Sequence, residues 1–219
     1  MRHYIKRFLL LLTGLFFFSF GVTITINARI GFSPWEVFHA GLSMVTGFSV
    51  GTVSILLGII IGIAVTILGE KLGLGSVLNI LLIGLKIDIF LPIIPTAANT
   101  PIGIIMMVSG IFSISLGSCF YIKSAFGVGP RDNLMVVLTR KTKLPVGACR
   151  FGLELTVTVI GWLLGGMVWF GTVIFVALIG FSIQLTFKLF RLDATAIKHE
   201  NLRETYLAIR SLARKQPQG

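Results

Sequence analysis

The sequence predicts an all-α membrane protein: six transmembrane helices arranged as two inverted-topology three-helix repeats, each with a short helix after its first span. Three observations predict it: a greasy composition, an internal repeat at an offset of 96 residues, and the placement of the basic side chains. Hydrophobic residues make up 55% of the 219, only 12% are charged, and the mean hydropathy is +0.95. A soluble domain of this length cannot bury so much apolar surface, so the solvent is a bilayer. Stretches of about 20 apolar residues, the length a span needs, fall at about 5–26, 48–69, 75–95, 102–122, 146–168 and 170–190. The first is long and has no small-residue cleavage site, so it is expected to be a mature span and not a signal peptide.

The repeat covers both groups of three spans. Sliding 13–94 onto 109–190 without a gap gives 20 identities in 82 positions, seven of them glycine pairs, at 14/110, 21/117, 31/127, 51/147, 69/165, 75/171 and 84/180. Apolar composition would align leucines by chance, not glycines in one frame, and such self-similarity marks a duplicated unit. The predicted organisation is a first repeat over 1–95, a second over 102–190 and a basic tail over 191–219. Three spans is an odd number, so the second repeat enters the membrane from the opposite side.

The net charge of +11 fits the same plan. With both termini in the cytoplasm, Lys6, Arg7, Lys71, Lys123, Arg131, Arg140, Lys141, Lys143 and the tail cations Lys188 to Lys215 all fall inside, and Arg29 alone falls outside. That is the positive-inside pattern. The cations flank membrane segments and do not form a groove interleaved with aromatics, which argues against nucleic acid as a partner.

After the first span of each repeat the chain reads Gly31-Phe-Ser-Pro-Trp-Glu-Val-Phe38 and Gly127-Val-Gly-Pro-Arg-Asp-Asn-Leu134. Proline suits the first helical turn, so helices are predicted to start at Pro34 and Pro130 and to run over 34–46 and 130–142. Ser33 to Glu36 fits a capping box. Thirteen residues reach about 19 Å, too short to cross. Such helices either lie at the interface or re-enter the protein with their N-termini, and a positive dipole end, pointed inward. Glu36, Arg131, Asp132 and Asn133 then become candidates for a solute path.

Charges inside spans are costly and are functional candidates by default. Lys86 and Asp88 lie in the third span, Arg150 and Glu154 in the fifth. Arg150 and Glu154 stand at i, i+4 and can pair, while Lys86 is expected to reach Glu154 from another span. Their repeat mates are Ser182, Gln184, Ser54 and Gly58. The expected site is therefore polar and at the midplane, built from Lys86, Asp88, Arg150 and Glu154 with Ser54, Ser182 and Gln184 opposite and Asn79 nearby. A buried ion-pair network locking the halves together is the structural alternative.

Glycines at 14, 21, 58, 62, 110, 117, 161, 165 and 180 suit close helix approach, and Trp35, Trp162 and Trp169 suit interface anchors. The tail from about Asp193 to Lys215 has helical spacing at Ile197, Leu202, Leu207, Ile209 and Leu212, as in an amphipathic surface helix. Cys119 and Cys149 have no metal-ligand spacing, and His3, His39 and His199 form no cluster, so neither a metal nor a cofactor is expected.

The phrases GFSPWEVFHAGLS, GTVSILLG, NILLIGLKIDIF and GVGPRDNLM, with the segment from GLEL to GTV, resemble the YczE/YyaS/YitT group of bacterial membrane proteins and, within it, the YczE-like branch. The resemblance runs along most of 8–190. It implies a multi-pass protein of a bacterial cytoplasmic membrane and supplies neither catalytic residues nor a substrate. The residues themselves point to a small-solute transporter or channel, its solute polar and the anionic class included. The alternative is a non-transporting scaffold or regulatory factor acting on a partner protein through the basic tail. A homodimer is compatible with so small a unit. An enzyme is not expected, since the chain has no G-x-S-x-G, H-E-x-x-H or P-loop.

Overall fold

A computed structural model describes residues 2–193 and 197–214, and the described residues form helices joined by short connections. These are α1 (Arg2–Asn27), α2 (Pro34–Thr46), α3 (Val50–Ile67), α4 (Leu74–Phe90), α5 (Thr100–Lys123), α6 (Pro130–Thr142), α7 (Val146–Leu163), α8 (Phe170–Leu189) and α9 (Leu202–Arg214). Helices α1, α3, α5, α7 and α8 are long and apolar enough to cross a membrane. The sixth expected span is α4, which has 17 residues and stops at Phe90 instead of about 95. Pro92 explains the stop: Leu91 still has helical backbone and bonds Ile87 O, but proline has no N–H to donate to Asp88 O, so the i→i−4 ladder breaks there.

The bounds reproduce the offset of 96: α2 and α6 begin at 34 and 130, α3 and α7 at 50 and 146, α4 and α8 at 74 and 170. Left-handed backbone recurs too, at Gly31 and Gly127 (φ 118° and 113°) and at Gly69 and Gly165 (95° and 101°). Glycine adopts this conformation at little steric cost.

The core lies between α1 and α5, which run antiparallel. Gly14 sits on the backbone of Gly117 and Tyr121, and Gly21 on that of Gly110 and Ile114, so a Cβ at any of the four glycines would collide with the facing helix. The two contacts exchange under the 96-residue shift. Close backbone approach of this kind lets helices associate where water supplies no hydrophobic drive. The loops are exchanged in the same way. Gly171 N–H donates to Ile30 O in one half and Gly75 N–H to Phe126 O in the other, each at 2.7 Å. Each loop is thus pinned to the start of the other half's last helix.

Around this core α4 packs on α1 and α8 on α5, while α2 packs on α7 and α6 on α3. Two expectations fail here. Gly180 has no heavy atom within 4 Å of a built Cβ, so it makes no close helix approach. Ser33 is the N-cap of α2 but its side chain makes no capping bond, so the capping box does not form. The tail helix starts at Leu202 and not near Asp193, because Asn201 and Glu204 form a capping box of their own, with both bonds at 3.0 Å. The expected tail residue Lys215 and the side chain of Leu212 lie outside the described residues.

Candidate functional site

The starts of α2 and α6 meet in the middle of the molecule. Their far ends point apart: Met44 of α2 lies against Gly165 after α7, and Arg140 of α6 bonds Leu68 O and Glu70 after α3. Pro34, Trp35 and Glu36 thereby face their repeat mates Pro130, Arg131 and Asp132 across a cavity of about 420 Å³.

Arg131 joins the two starts. Its guanidinium lies 4.6 Å from the Trp35 ring centre, 3.7 Å from the buried Glu36 carboxylate and 3.1 Å from His39 Nε2. An arginine only donates, so His39 Nε2 accepts and the ring proton sits on Nδ1. That Nδ1 is buried, makes no hydrogen bond, and lies 3.8 Å from Glu36 Oε1. Across the cavity, Arg150 Nε donates to Glu154 at 2.9 Å, the i, i+4 pair the sequence predicts. Ser54, the repeat mate of Arg150, and Asn79 also line the cavity.

Part of the expected site lies elsewhere. Lys86 does not reach Glu154; its ammonium stands 5.8 Å from the Phe16 ring centre. Asp88 accepts from Gly51 N–H at 2.8 Å and from the Ser49 hydroxyl at 2.5 Å, capping the start of α3. Both sit near the end of α4 because that helix stops early. Gln184 is exposed, while Ser182 and Asn133 are buried without lining the cavity. Trp35 is no interface anchor, since it faces Arg131, whereas Trp162 and Trp169 are exposed.

Three groups escaped the sequence reading. His39 stands three residues after Glu36 on one helix face, a spacing that could have found it. Tyr121, late in α5, lines the cavity with its buried hydroxyl unpartnered. His199 lines it from the tail, where the segment before α9 folds back on the core. Glu200 there accepts from Arg7 at 2.5 Å and from the Tyr4 hydroxyl at 3.2 Å, and Glu200 N–H donates to Ala125 O at 2.9 Å. No local pattern announces a contact between residues 7 and 200.

A multi-pass membrane protein is what this helix set and its apolar surface define. The chain belongs to a family of unknown function, DUF6198, whose model matches residues 5–188. It is 35% identical over 184 residues to the uncharacterized membrane protein YczE of Bacillus subtilis strain 168, covering 83% of this chain and 86% of that one. An uncharacterized protein of Haemophilus influenzae is 34% identical over 181 residues, 82% of each chain. The uncharacterized protein YyaS of B. subtilis is 26% identical over 179 residues, 78% of this chain and 88% of that one. The YczE-like resemblance is therefore shown. No solved structure matches the chain.

Proposed function

We propose that the protein is a small-solute transporter or channel, not an enzyme, whose binding site is the cavity between two inverted repeats. One observation carries this reading: the N-termini of two short helices meet at a cavity whose charged side chains come from α2, α6 and α7. Paired half-helices that end at mid-depth are a recurring way to build a solute site at the interface of inverted repeats. On this reading α2 and α6 are re-entrant, α4 is the sixth span as the mate of α8, and the end that carries Arg7, Lys123 and the tail is cytoplasmic. The structural alternative, ion pairs that only lock the halves, accounts for Glu36 with Arg131 but leaves the Tyr121 hydroxyl without a role.

The test is solute flux in proteoliposomes for wild type beside Glu154→Gln, Asp132→Asn and Lys86→Met. Flux should be lost in the first two, with folding intact by thermal unfolding, and kept in Lys86→Met, which lies outside the cavity. Equal flux in all four would remove the cavity from the path. A second reading is favoured by α9, whose Leu202, Tyr206 and Ile209 are exposed: a scaffold or regulatory factor that docks a partner through its tail. Deleting 202–219 should abolish a scaffold and spare a transporter core.

A further inference from the structure

In the first repeat, α3 and α4 touch at Gly51 and Gly84, where a Cβ on either would overlap the other's carbonyl oxygen. The mates of these glycines are Gly147 on α7 and Gly180 on α8, and each has no heavy atom within 4 Å of a built Cβ. The clip that holds α3 to α4 is missing as well. Asp88 and Ser49 become Gln184 and Pro145, which has neither an N–H nor a hydroxyl, and Gln184 is exposed. The helices α7 and α8 therefore stand apart where α3 and α4 are sealed. The cavity lies directly behind them, since α7 contributes Arg150 and Glu154 to its wall and α8 contributes Phe175, Ile179 and Ile183.

We propose that this gap is a lateral portal from the bilayer into the cavity, and that the solute it admits is an amphipathic cation. The inference rests on the reading of the cavity as a solute site. Both flanking helices are of membrane-crossing length and apolarity, so a molecule passing between them comes from lipid. The cavity has two kinds of wall. The α8 side is apolar and suits a hydrocarbon chain, while the α2, α6 and α7 starts are charged and suit a head group. The repeat sets the head's sign. Arg131 serves Glu36, but the mate of Arg131, which would serve Asp132, is Trp35. Arg150 is taken by Glu154. Both guanidiniums also lie close enough to act on Asp132, but three carboxylates, Glu36, Asp132 and Glu154, line the cavity against two guanidiniums, Arg131 and Arg150, and an ammonium complements the acid in excess. The unpartnered Tyr121 hydroxyl supplies a further polar contact.

The protein carries its own reporter. With Trp162→Phe and Trp169→Phe, the remaining tryptophan is Trp35, in the cavity. In nanodiscs made with bromine-labelled acyl chains its fluorescence should be strongly quenched, and Gly180→Phe, which fills the gap, should relieve the quenching. Primary alkylamines should change the same signal with affinity rising roughly tenfold per two added methylenes, as burial of apolar surface requires. Asp132→Asn and Trp35→Arg (the latter read by displacement of a 1,10-diaminodecane dansylated at one end, which keeps a free ammonium at the other) should weaken amine binding, and alkyl carboxylates of equal length should bind worse than amines. Quenching that persists in Gly180→Phe, or stronger quenching by aqueous iodide than by brominated lipid, would overturn the portal. Carboxylates binding as well as amines would overturn the cation. The transport reading fails separately: a reporter that behaves as expected with no flux of any solute would leave a lipid-open binding site without transport. Flux of short polar solutes that survives Gly180→Phe would leave transport without the portal.

Discussion

The two halves of this protein share their helices and their backbone turns but not their seams. Helices α3 and α4 meet through Gly51 and Gly84 and are clipped by Asp88. Helices α7 and α8 keep the glycines, Gly147 and Gly180, and lack the contact. The exchange of partners obeys a similar logic. Gly41 of α2 lies against Gly161 of α7, while their mates, Val137 of α6 and Val65 of α3, are bulkier buried side chains. Helix α7 is drawn onto α2 and away from α8, whereas α3 stays with α4. One repeating sequence pattern thus accompanies both a close and an open arrangement of the corresponding helix pair.

The largest effect is expected where the halves meet. Arg131→Met leaves the buried Glu36 carboxylate without its salt-bridge partner, and breaking a buried pair in this way costs about 3–5 kcal/mol. The double variant Glu36→Gln with Arg131→Met removes both charges and should recover most of that loss. Chemical or thermal unfolding in a mild detergent measures both. A single variant as stable as wild type would mean that the two repeats are not joined through this pair.

The seam itself comes next. Gly84→Leu drives a side chain into Gly51 O and Ile55, and overpacking of this kind costs about 1–3 kcal/mol. The mate substitution, Gly180→Leu, meets open space and should stay within about 0.5 kcal/mol of wild type. Equal losses at both positions would show that α7 and α8 are as tightly packed in the bilayer as α3 and α4. The clip ranks below the glycine. Asp88→Asn keeps neutral partners for Gly51 N–H and Ser49 and loses only the charge assistance, so it should cost about 1 kcal/mol, whereas Gln184→Ala should change unfolding little.

Much of this plan is legible from one chain because glycine, proline and charge carry backbone information. Pro34 and Pro130 fix both short helices to the residue, and Arg150 with Glu154 is a pair that helix periodicity dictates. The errors share a cause. Lys86 and Asp88 looked central because apolar residues continue to 95, but Pro92 ends α4 at Phe90 and moves both charges to its margin. Periodicity also says which residues share a helix face and not which way that face turns in the bundle, so Ser182 and Gln184 could not be told from Asn79. Tyr121 and His39 are single polar groups among apolar neighbours, and only packing shows that one opens to the cavity and the other holds Arg131.

The smallest expected effect compares the segments that succeed the last helix of each half. After α4, residues 91–97 close over the end of α1, where Asn27 bonds Leu91 O, Ile94 O and Ala97 N–H. After α8, the tail closes over the end of α5, and this closure contains titratable groups: Glu200 with Arg7 and Tyr4, and His199 beside them. Burial first, and the Arg7 charge second, hold the His199 imidazole below its ordinary value of 6.5. The docked tail therefore prefers the neutral ring, while a released tail would protonate near the ordinary value. Docking is at full strength above about pH 6.5 and weakens as pH falls from there toward the docked value. Limited trypsin cleavage at Arg203 should accelerate as pH is lowered through that window, after correction for trypsin's own profile, with no matching change in amide hydrogen exchange, corrected for its intrinsic pH dependence, over the 91–97 segment, which holds no trypsin site. His199→Asn should flatten the dependence, and Glu200→Gln should raise cleavage at every pH. An unchanged slope in His199→Asn would assign the sensitivity to another group and leave the two closures alike in their response to acid.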